Sequence, residues 1–433
     1  MKKFLAFLGM LLIGAGAYAQ EASKGPDFKF GFKAWAYGVS GSQNDYSYDY
    51  SHIRIRPLLS VGTENVKGVV QLEIDQDFGK ESSDAGADPG TDNKVVEVKH
   101  AYLEVKDAIV PGLTLMAGLN GYNFPVVVNN DFGLFQAGYD FGMGKAIVSY
   151  IKVDEYEHVE ATEADPSVDQ NKDVTAYALD LPIKLDKITV RPGIIMIKGG
   201  KESTLAQKAS MTNAALNITG DMGMIAFTAS GAYMSGTLSD DGTTKVESSA
   251  LGADIGVDLK PADGIKIGVF FTYGTGNDGK DAEKNDSYFN TLNKLFGANG
   301  TTSNTGAPDG RLFLLENASI TSVGGYNSGS SNENFDVMDN QYGWMAYGIN
   351  VQAKIDKLTV FVQYGMASTV EKNSNGDTGI GSELDTKISY LVAPKTDLFV
   401  EGAYFMSSDD MGVGRYAEAE NAYQIAWGLT TSI

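Results

Sequence analysis

The sequence predicts an all-β protein, a transmembrane antiparallel up-and-down β-barrel with 18 strands as the first choice and 16 as the alternative. Three observations lead to this fold class. Apolar and polar residues alternate in segments of about ten residues, which is the pattern of strands with one lipid face and one watery face. The connections between these segments alternate between short and long. The chain also begins with a secretory signal.

Residues 1–19 are predicted to be a signal peptide. Two lysines precede an apolar run over residues 4–16, and the small-residue motif Ala17-Tyr18-Ala19 follows as a cleavage site. Such a segment is removed on export and takes no part in the fold. We therefore expect residues 20–433 to form one barrel domain. An uncleaved membrane anchor is the alternative, for which the apolar run is short.

Period-two alternation identifies the strands. In the segment DFKFGFKAWA, Phe28, Phe30 and Phe32 fall on one face and Lys29 and Lys33 on the other. Successive strand residues point to opposite faces, so this pattern gives one apolar and one polar surface. The last fifteen residues repeat the alternation and end in an apolar residue, which resembles the C-terminal insertion signal of outer-membrane barrels.

The connections set the strand count. We count eight short and nine long ones, which together join 18 strands and leave both termini on the short-turn side. Short periplasmic turns and long extracellular loops are typical of outer-membrane barrels. The least distinct strands lie near 133–141 and 208–219, and misreading them would leave 16 strands.

Two of the predicted extracellular loops carry apolar residues. The longest loop, 276–338, contains a helical apolar pattern over 285–296, which we expect to fold onto the barrel as a constriction, plug or cap. The alternative is an exposed loop. The third outer loop, predicted over 121–132, has an apolar centre, which we expect to pack against the inner wall.

The composition excludes several classes of function. The chain has 51 glycines and 10% aromatic residues, no cysteine, and a formal net charge of −21. Without cysteine there is no disulfide scaffold, thiol catalysis or thiolate metal site. The acidic balance argues against a nucleic-acid partner. No apolar run after the signal is long enough for a transmembrane helix. No cofactor or metal is expected.

Four segments carry a family resemblance. They read HIRIRPLLSVG (52–62), VVQLEIDQDFG (69–79), VKHAYLEV (98–105) and LTLMAGLNGYNFPVVVNNDFG (113–133). An Arg-x-Arg strand is followed by an acidic strand ending in Asp-Phe-Gly, an Ala-Tyr-Leu strand and a glycine-rich strand. This order resembles the bacterial outer-membrane porins, in particular the alginate-export-like and related large barrels. The resemblance implies an outer-membrane location and a water-filled lumen.

Strand alternation also predicts which side chains line the lumen. Ile53 and Ile55 are assigned to lipid, so the residues between and beside them face inward. The predicted pore-lining residues are His52, Arg54, Arg56, Glu73, Asp75, Glu97, Lys99 and Arg191. A basic strand beside acidic ones can set a field that favours charged or dipolar permeants. The alternative is a set of cross-strand ion pairs without selectivity of their own.

The expected function is that of an outer-membrane porin, a passive diffusion channel for small hydrophilic solutes or ions. Its expected surroundings are outer-membrane lipid and lipopolysaccharide, and it would be a monomer or a homotrimer. An enzyme is not expected, since the sequence has 3 histidines and none lies near a nucleophile-elbow motif. The alternative is a structural or adhesive barrel with an occluded lumen.

Overall fold

The computed structural model describes twelve stretches of the chain. These are residues 25–43, 46–78, 95–124, 126–154, 174–199, 210–240, 244–281, 283–288, 311–315, 342–372, 376–408 and 421–433. The predicted signal peptide, 1–19, lies outside them, as do most of the long loop 276–338 and the greater part of its predicted helix.

The described residues form nineteen strands. They are Asp27–Gln43 (β1), Tyr46–Gly62 (β2), Val66–Phe78 (β3), Val95–Lys106 (β4), Leu113–Phe124 (β5), Val128–Asp140 (β6), Lys145–Asp154 (β7), Val174–Asp180 (β8), Ile183–Leu185 (β9), Ile188–Gly199 (β10), Ser210–Asp221 (β11), Ile225–Asp240 (β12), Lys245–Ala262 (β13), Ile265–Gly274 (β14), Trp344–Ile355 (β15), Leu358–Ser368 (β16), Gly379–Ala393 (β17), Thr396–Ser407 (β18) and Ala422–Ser432 (β19).

Strands β8 and β9 are two parts of a single barrel strand. Both pair with β10 in the same register, Asp180 opposite Gly193 and Ile183 opposite Val190. The interruption contains Pro182, which has no backbone N–H to donate to a ladder. The described barrel wall therefore has 18 strands, and the first choice made from the sequence is confirmed.

The barrel closes between its first and last strands. All pairings are antiparallel between neighbours in the chain, and β1 pairs with β19 as well as with β2. At this seam Phe32 N donates to Ile433 O (2.9 Å) and Ile433 N to Phe32 O (2.8 Å). Closure matters because a membrane interior offers no water to satisfy a free sheet edge.

One end of the barrel carries the tight connections and is here called the short-turn end. Asp186 and Asp356 open two-residue turns with φ of +55° and +51°. Aspartate tolerates this left-handed conformation, and hairpins of this length require it.

The third connection at the opposite end differs from its prediction. Strand β5 continues to Phe124 and β6 begins at Val128, so the loop is not the twelve residues of 121–132. Its polar residues extend the ladder, with Asn123 opposite Asn129. The asparagines and glycines were interpreted as loop signals, although a strand that rises beyond an apolar belt tolerates them.

The two faces of the wall have opposite chemistry. On β19, Tyr423, Ile425 and Trp427 are 45–47% exposed, whereas Gln424 and Ala426 between them are at most 2% exposed. The outward residues continue around the barrel as a belt of Leu, Ile, Val, Phe and Tyr, which matches the lipid-facing surface of membrane barrels. Within the described residues, no helix is long and apolar enough to cross a membrane.

Candidate functional site

A first inner segment, made of Phe124 and residues 126–128, covers one part of the lumen wall. Val126, Val127 and Val128 are buried and pack in one cluster with inward side chains of β7, β8 and β10–β12. The ring of Phe124 occupies the space that a side chain at position 193 would fill, and Gly193 leaves that space open. As predicted, this apolar stretch packs on the inner wall.

Two polar contacts attach the first inner segment to the rest of the lumen. The Tyr288 hydroxyl, from the long β14–β15 connection, donates to the carbonyl of Val126. Arg191 Nη2 donates to the carbonyl of Asn123 (2.7 Å), while its Nε holds both carboxylate oxygens of Asp180 at 2.9 Å. Arg191 therefore fixes the segment to β8 and β10.

A second inner segment, residues 311–315, covers another part of the lumen wall. Leu312 and Leu315 are fully buried against inward side chains of β14–β19, in a cluster with Phe270, Trp344 and Phe405. Apolar contact of this size holds a short peptide against a wall that would otherwise face water.

Buried carboxylates bind the backbone and the arginine of the second inner segment. Glu383 accepts the N–H groups of Leu314 (2.7 Å) and Leu315 (2.9 Å). The Arg311 guanidinium makes two hydrogen bonds to Asp254, at 3.2 and 2.6 Å. Glu383 and Asp254 are 0% exposed, and buried carboxylates need such charge-assisted partners.

The inner face of β1–β4 carries a group of charged side chains, which we call the charged wall. Arg54 Nε donates to Asp75 Oδ2 (2.6 Å), and Arg56 Nε donates to Glu73. His52 Nε2 lies 3.0 Å from Asp75 Oδ1. The arginine side chains keep 29% and 21% of their surface exposed.

The strand register explains these contacts. Arg54 stands opposite Asp75 on β3 and opposite Trp35 on β1. The guanidinium carbons of Arg54 and Arg56 lie 5.5 and 4.8 Å from the Trp35 ring centroid, within cation–π range. Trp35 was not among the predicted residues, although its alternation with Ala34 and Ala36 placed it on the inner face.

Strand β4 extends the group through an irregular register. Gln71 pairs with His100 but Leu72 pairs with Val98, so Lys99 is an extra residue in the ladder. Lys99 Nζ (2.7 Å) and His100 Nε2 (3.1 Å) therefore both contact Asp131 on β6. His100 and Asp131 were missed, because an extra residue reverses the alternation beyond it.

The structure brings seven of the eight predicted residues onto β2–β4. Glu97 stands opposite Glu73 in the β3–β4 ladder and is more exposed than the others. The exception is Arg191, which lies on β10 and attaches the first inner segment. Most of these charged side chains form ion pairs with a neighbouring strand. The side chains of Arg54 and Arg56 nevertheless remain partly exposed.

Comparison with known proteins gives matches at the level of structure. No family profile matches the chain, and no curated protein matches it in sequence. The crystal structure of OpdK from Pseudomonas aeruginosa, determined with vanillate, superposes with a TM-score of 0.56 at 10% identity, covering 94% of this chain and 98% of that one. The barrel has the fold of OpdK.

Two further Pseudomonas aeruginosa structures share the OpdK fold. OccK8 (OprE) gives a TM-score of 0.56 at 12% identity, and OccK5 (OpdH) gives 0.54 at 11% identity. Each covers 94% of this chain and 98% of its own. OpdK is named an outer membrane protein in another of its structures. At such identities the likeness concerns the fold.

Proposed function

We propose that this protein is a porin of the bacterial outer membrane, a passive diffusion channel for small hydrophilic solutes or ions. The observation that carries the proposal is the charged wall on β1–β4, beside a lumen in which the two inner segments cover other parts of the wall. A path that follows the charged wall meets partly exposed arginine and carboxylate groups, which water and polar solutes can contact.

Several features support an outer-membrane location. The apolar belt matches a bilayer, and the closed ladder satisfies the backbone within it. Residues 1–19 would direct export and be removed, leaving 20–433 as one barrel domain. Outer-membrane lipid and lipopolysaccharide would surround the belt. The assembly would be a monomer or a homotrimer.

The charged wall would confer preference as well as passage. Neighbouring strands lie about 4.8 Å apart, so the β2 arginines and β3 carboxylates present opposite charges side by side. Such a wall favours solutes with a charge or a dipole over apolar ones. OpdK has been crystallised with vanillate, so vanillate is a suitable organic probe.

Single-channel recording tests the proposal. The refolded protein is inserted into a planar bilayer under a potassium chloride gradient, and conductance and reversal potential are measured with and without vanillate. We expect steady ohmic steps, and the sign of the reversal potential gives the charge preference. Folded protein that inserts into the bilayer but gives no conductance steps would contradict the proposed channel function.

A structural or adhesive barrel is the second candidate. The buried clusters around the first and second inner segments fill part of the lumen, and this observation favours occlusion. Swelling of vesicles that contain the protein in small sugars separates the two functions, because an occluded barrel gives the rate of empty vesicles.

A further inference from the structure

A cavity lies on the inner face of β10–β13 near the short-turn end, away from the charged wall. Its volume is about 350 Å³. Its lining residues are Lys187, Thr189, Thr219, Gly220, Asp221, Ala226, Phe227, Thr228, Gly256, Asp258 and Arg311. A space of this size holds a small solute.

Three threonines form a row across adjacent strands of the cavity wall. Thr189 stands opposite Thr219, and Thr219 stands opposite Thr228. Their spacing is that of neighbouring strands, about 4.8 Å. No hydrogen bond within the described part of the chain engages these three hydroxyls, so each can donate to or accept from a solute.

The row ends at the arginine of the second inner segment. Thr228 stands opposite Gly256, and the Arg311 guanidinium lies on that glycine, since a Cβ atom there would be 2.9 Å from Nη2. Asp254, fully buried, holds the guanidinium by two hydrogen bonds. The position of Arg311 at the edge of the cavity is therefore fixed.

Lys187 is the cation at the open end of the cavity. Asp221 is paired with Lys260 (2.7 Å) and Asp258 with Lys266 (3.4 Å), and neither lysine lines the cavity. Lys187, at the other end of the row, forms no ion pair within 4 Å among the described residues, and Asp221, which is paired with Lys260, attracts it only from a longer distance. A bound carboxylate would give Lys187 a partner.

We propose that this cavity binds a small polyhydroxylated acid, such as an open-chain sugar acid. The acid group meets Lys187, the hydroxyls meet the threonine row, and the far end of the solute approaches Arg311. Hydroxyls spaced along a chain match a row of hydroxyl partners, whereas an apolar acid leaves that row unpaired. The proposal deepens the channel function, on which it rests, by naming a solute class.

The test uses gluconate, with sorbitol as the neutral analogue, in single-channel recordings of the full-length protein. The decisive variant is the triple Thr189→Val, Thr219→Val, Thr228→Val, which keeps shape and removes the hydroxyls. Lys187→Met removes the charge. Thr359→Val, on the inner face of β16 near the short-turn end, is the matched control. Heat-dependent mobility on a gel verifies that each barrel is folded.

We expect gluconate to interrupt the wild-type current with a measurable residence time, and sorbitol to bind more weakly. The triple variant shortens the gluconate residence time roughly tenfold, as the loss of several hydrogen bonds requires. Lys187→Met weakens gluconate but not sorbitol, and Thr359→Val weakens neither. Equal residence times in wild type and triple variant, or no gluconate effect in a conducting wild-type channel, would overturn this site alone. Absence of any conductance would instead contradict the channel.

Discussion

The charged wall and the site of the second inner segment both pair arginine with carboxylates, but they are built differently. On the charged wall, Arg54 and its partner Asp75 stand on neighbouring strands, and both remain partly exposed. In the second site, Arg311 comes from a loop segment and meets the fully buried Asp254. Both residues of the first pair belong to the sheet, whereas the second pair joins a loop segment to the sheet.

The difference separates a surface that can interact with solutes from a contact that shapes the lumen. A partly exposed ion pair in water contributes little to stability, yet its field reaches the solution. A buried pair contributes little net stability either, but its loss is costly because one charge then remains buried alone. Substitutions on the charged wall should therefore change ion selectivity. Substitutions at the Arg311–Asp254 pair should instead change the position of the second inner segment.

The largest expected effect is on the pair between Arg311 and Asp254. Asp254→Asn removes the carboxylate that holds Arg311, and breaking a buried pair costs about 3–5 kcal/mol, so residues 311–315 should leave the wall. The native chain has 0 cysteines, so a Leu312→Cys thiol is unique. We expect its reaction with a water-soluble maleimide to become much faster in the Asp254→Asn background.

Asp180→Asn provides the control for this experiment. It breaks the corresponding pair with Arg191, which holds the first inner segment instead. The Leu312→Cys thiol should react at its original rate in that background. Equal labelling with and without Asp254 would show that apolar packing alone holds the second segment.

An intermediate effect is expected on the charged wall. Arg56→Gln removes the arginine that donates to Glu73, which keeps only Arg54 and Lys99 at 3.8 Å, so the wall becomes more negative and the reversal potential should shift toward cations. A change of roughly two- to threefold in the cation-to-anion permeability ratio is reasonable for one wall charge. Arg56→Lys keeps the charge and should keep the ratio. An unchanged permeability ratio in Arg56→Gln would mean that permeating ions do not pass along β1–β4.

The smallest effect is expected at the aromatic ring beneath the arginines. Trp35→Leu removes the cation–π contacts with Arg54 and Arg56, each worth about 0.5–1 kcal/mol at partly exposed sites. The urea midpoint of unfolding should fall slightly while charge selectivity stays, because both charges remain. A selectivity change as large as that of Arg56→Gln would mean that Trp35 itself positions the permeant.

The comparison also explains which parts of the molecule could be predicted from sequence. The strand count and the positions of Arg54, Arg56, Glu73 and Asp75 follow from local alternation, which needs only near neighbours in the chain. His100 was missed because one extra residue in β4 reverses the alternation after it. Such an irregularity leaves no clear signal in a single sequence.

The inner segments depend on contacts that alternation cannot reveal. Leu314 and Glu383 are 69 residues apart in sequence, and neither residue indicates its partner by spacing. Within the long loop the sequence indicated an apolar pattern over 285–296, of which the described Tyr288 contacts the first inner segment. The later apolar run at 311–315, which packs on β14–β19, was not predicted. The length of the third connection was overestimated because asparagine and glycine are common to loops and to strand ends.

The seam between β1 and β19 has a consequence for how the molecule is made. Its partners are nearly the whole chain apart, so the hydrogen bonds between Phe32 and Ile433 close a far longer loop than any hairpin of the wall does. A sheet in which this seam has not formed has two unpaired margins that can capture strands of another chain. The contact of greatest sequence separation thus carries the largest entropic cost of closure and also removes the two edges at which barrels could associate wrongly.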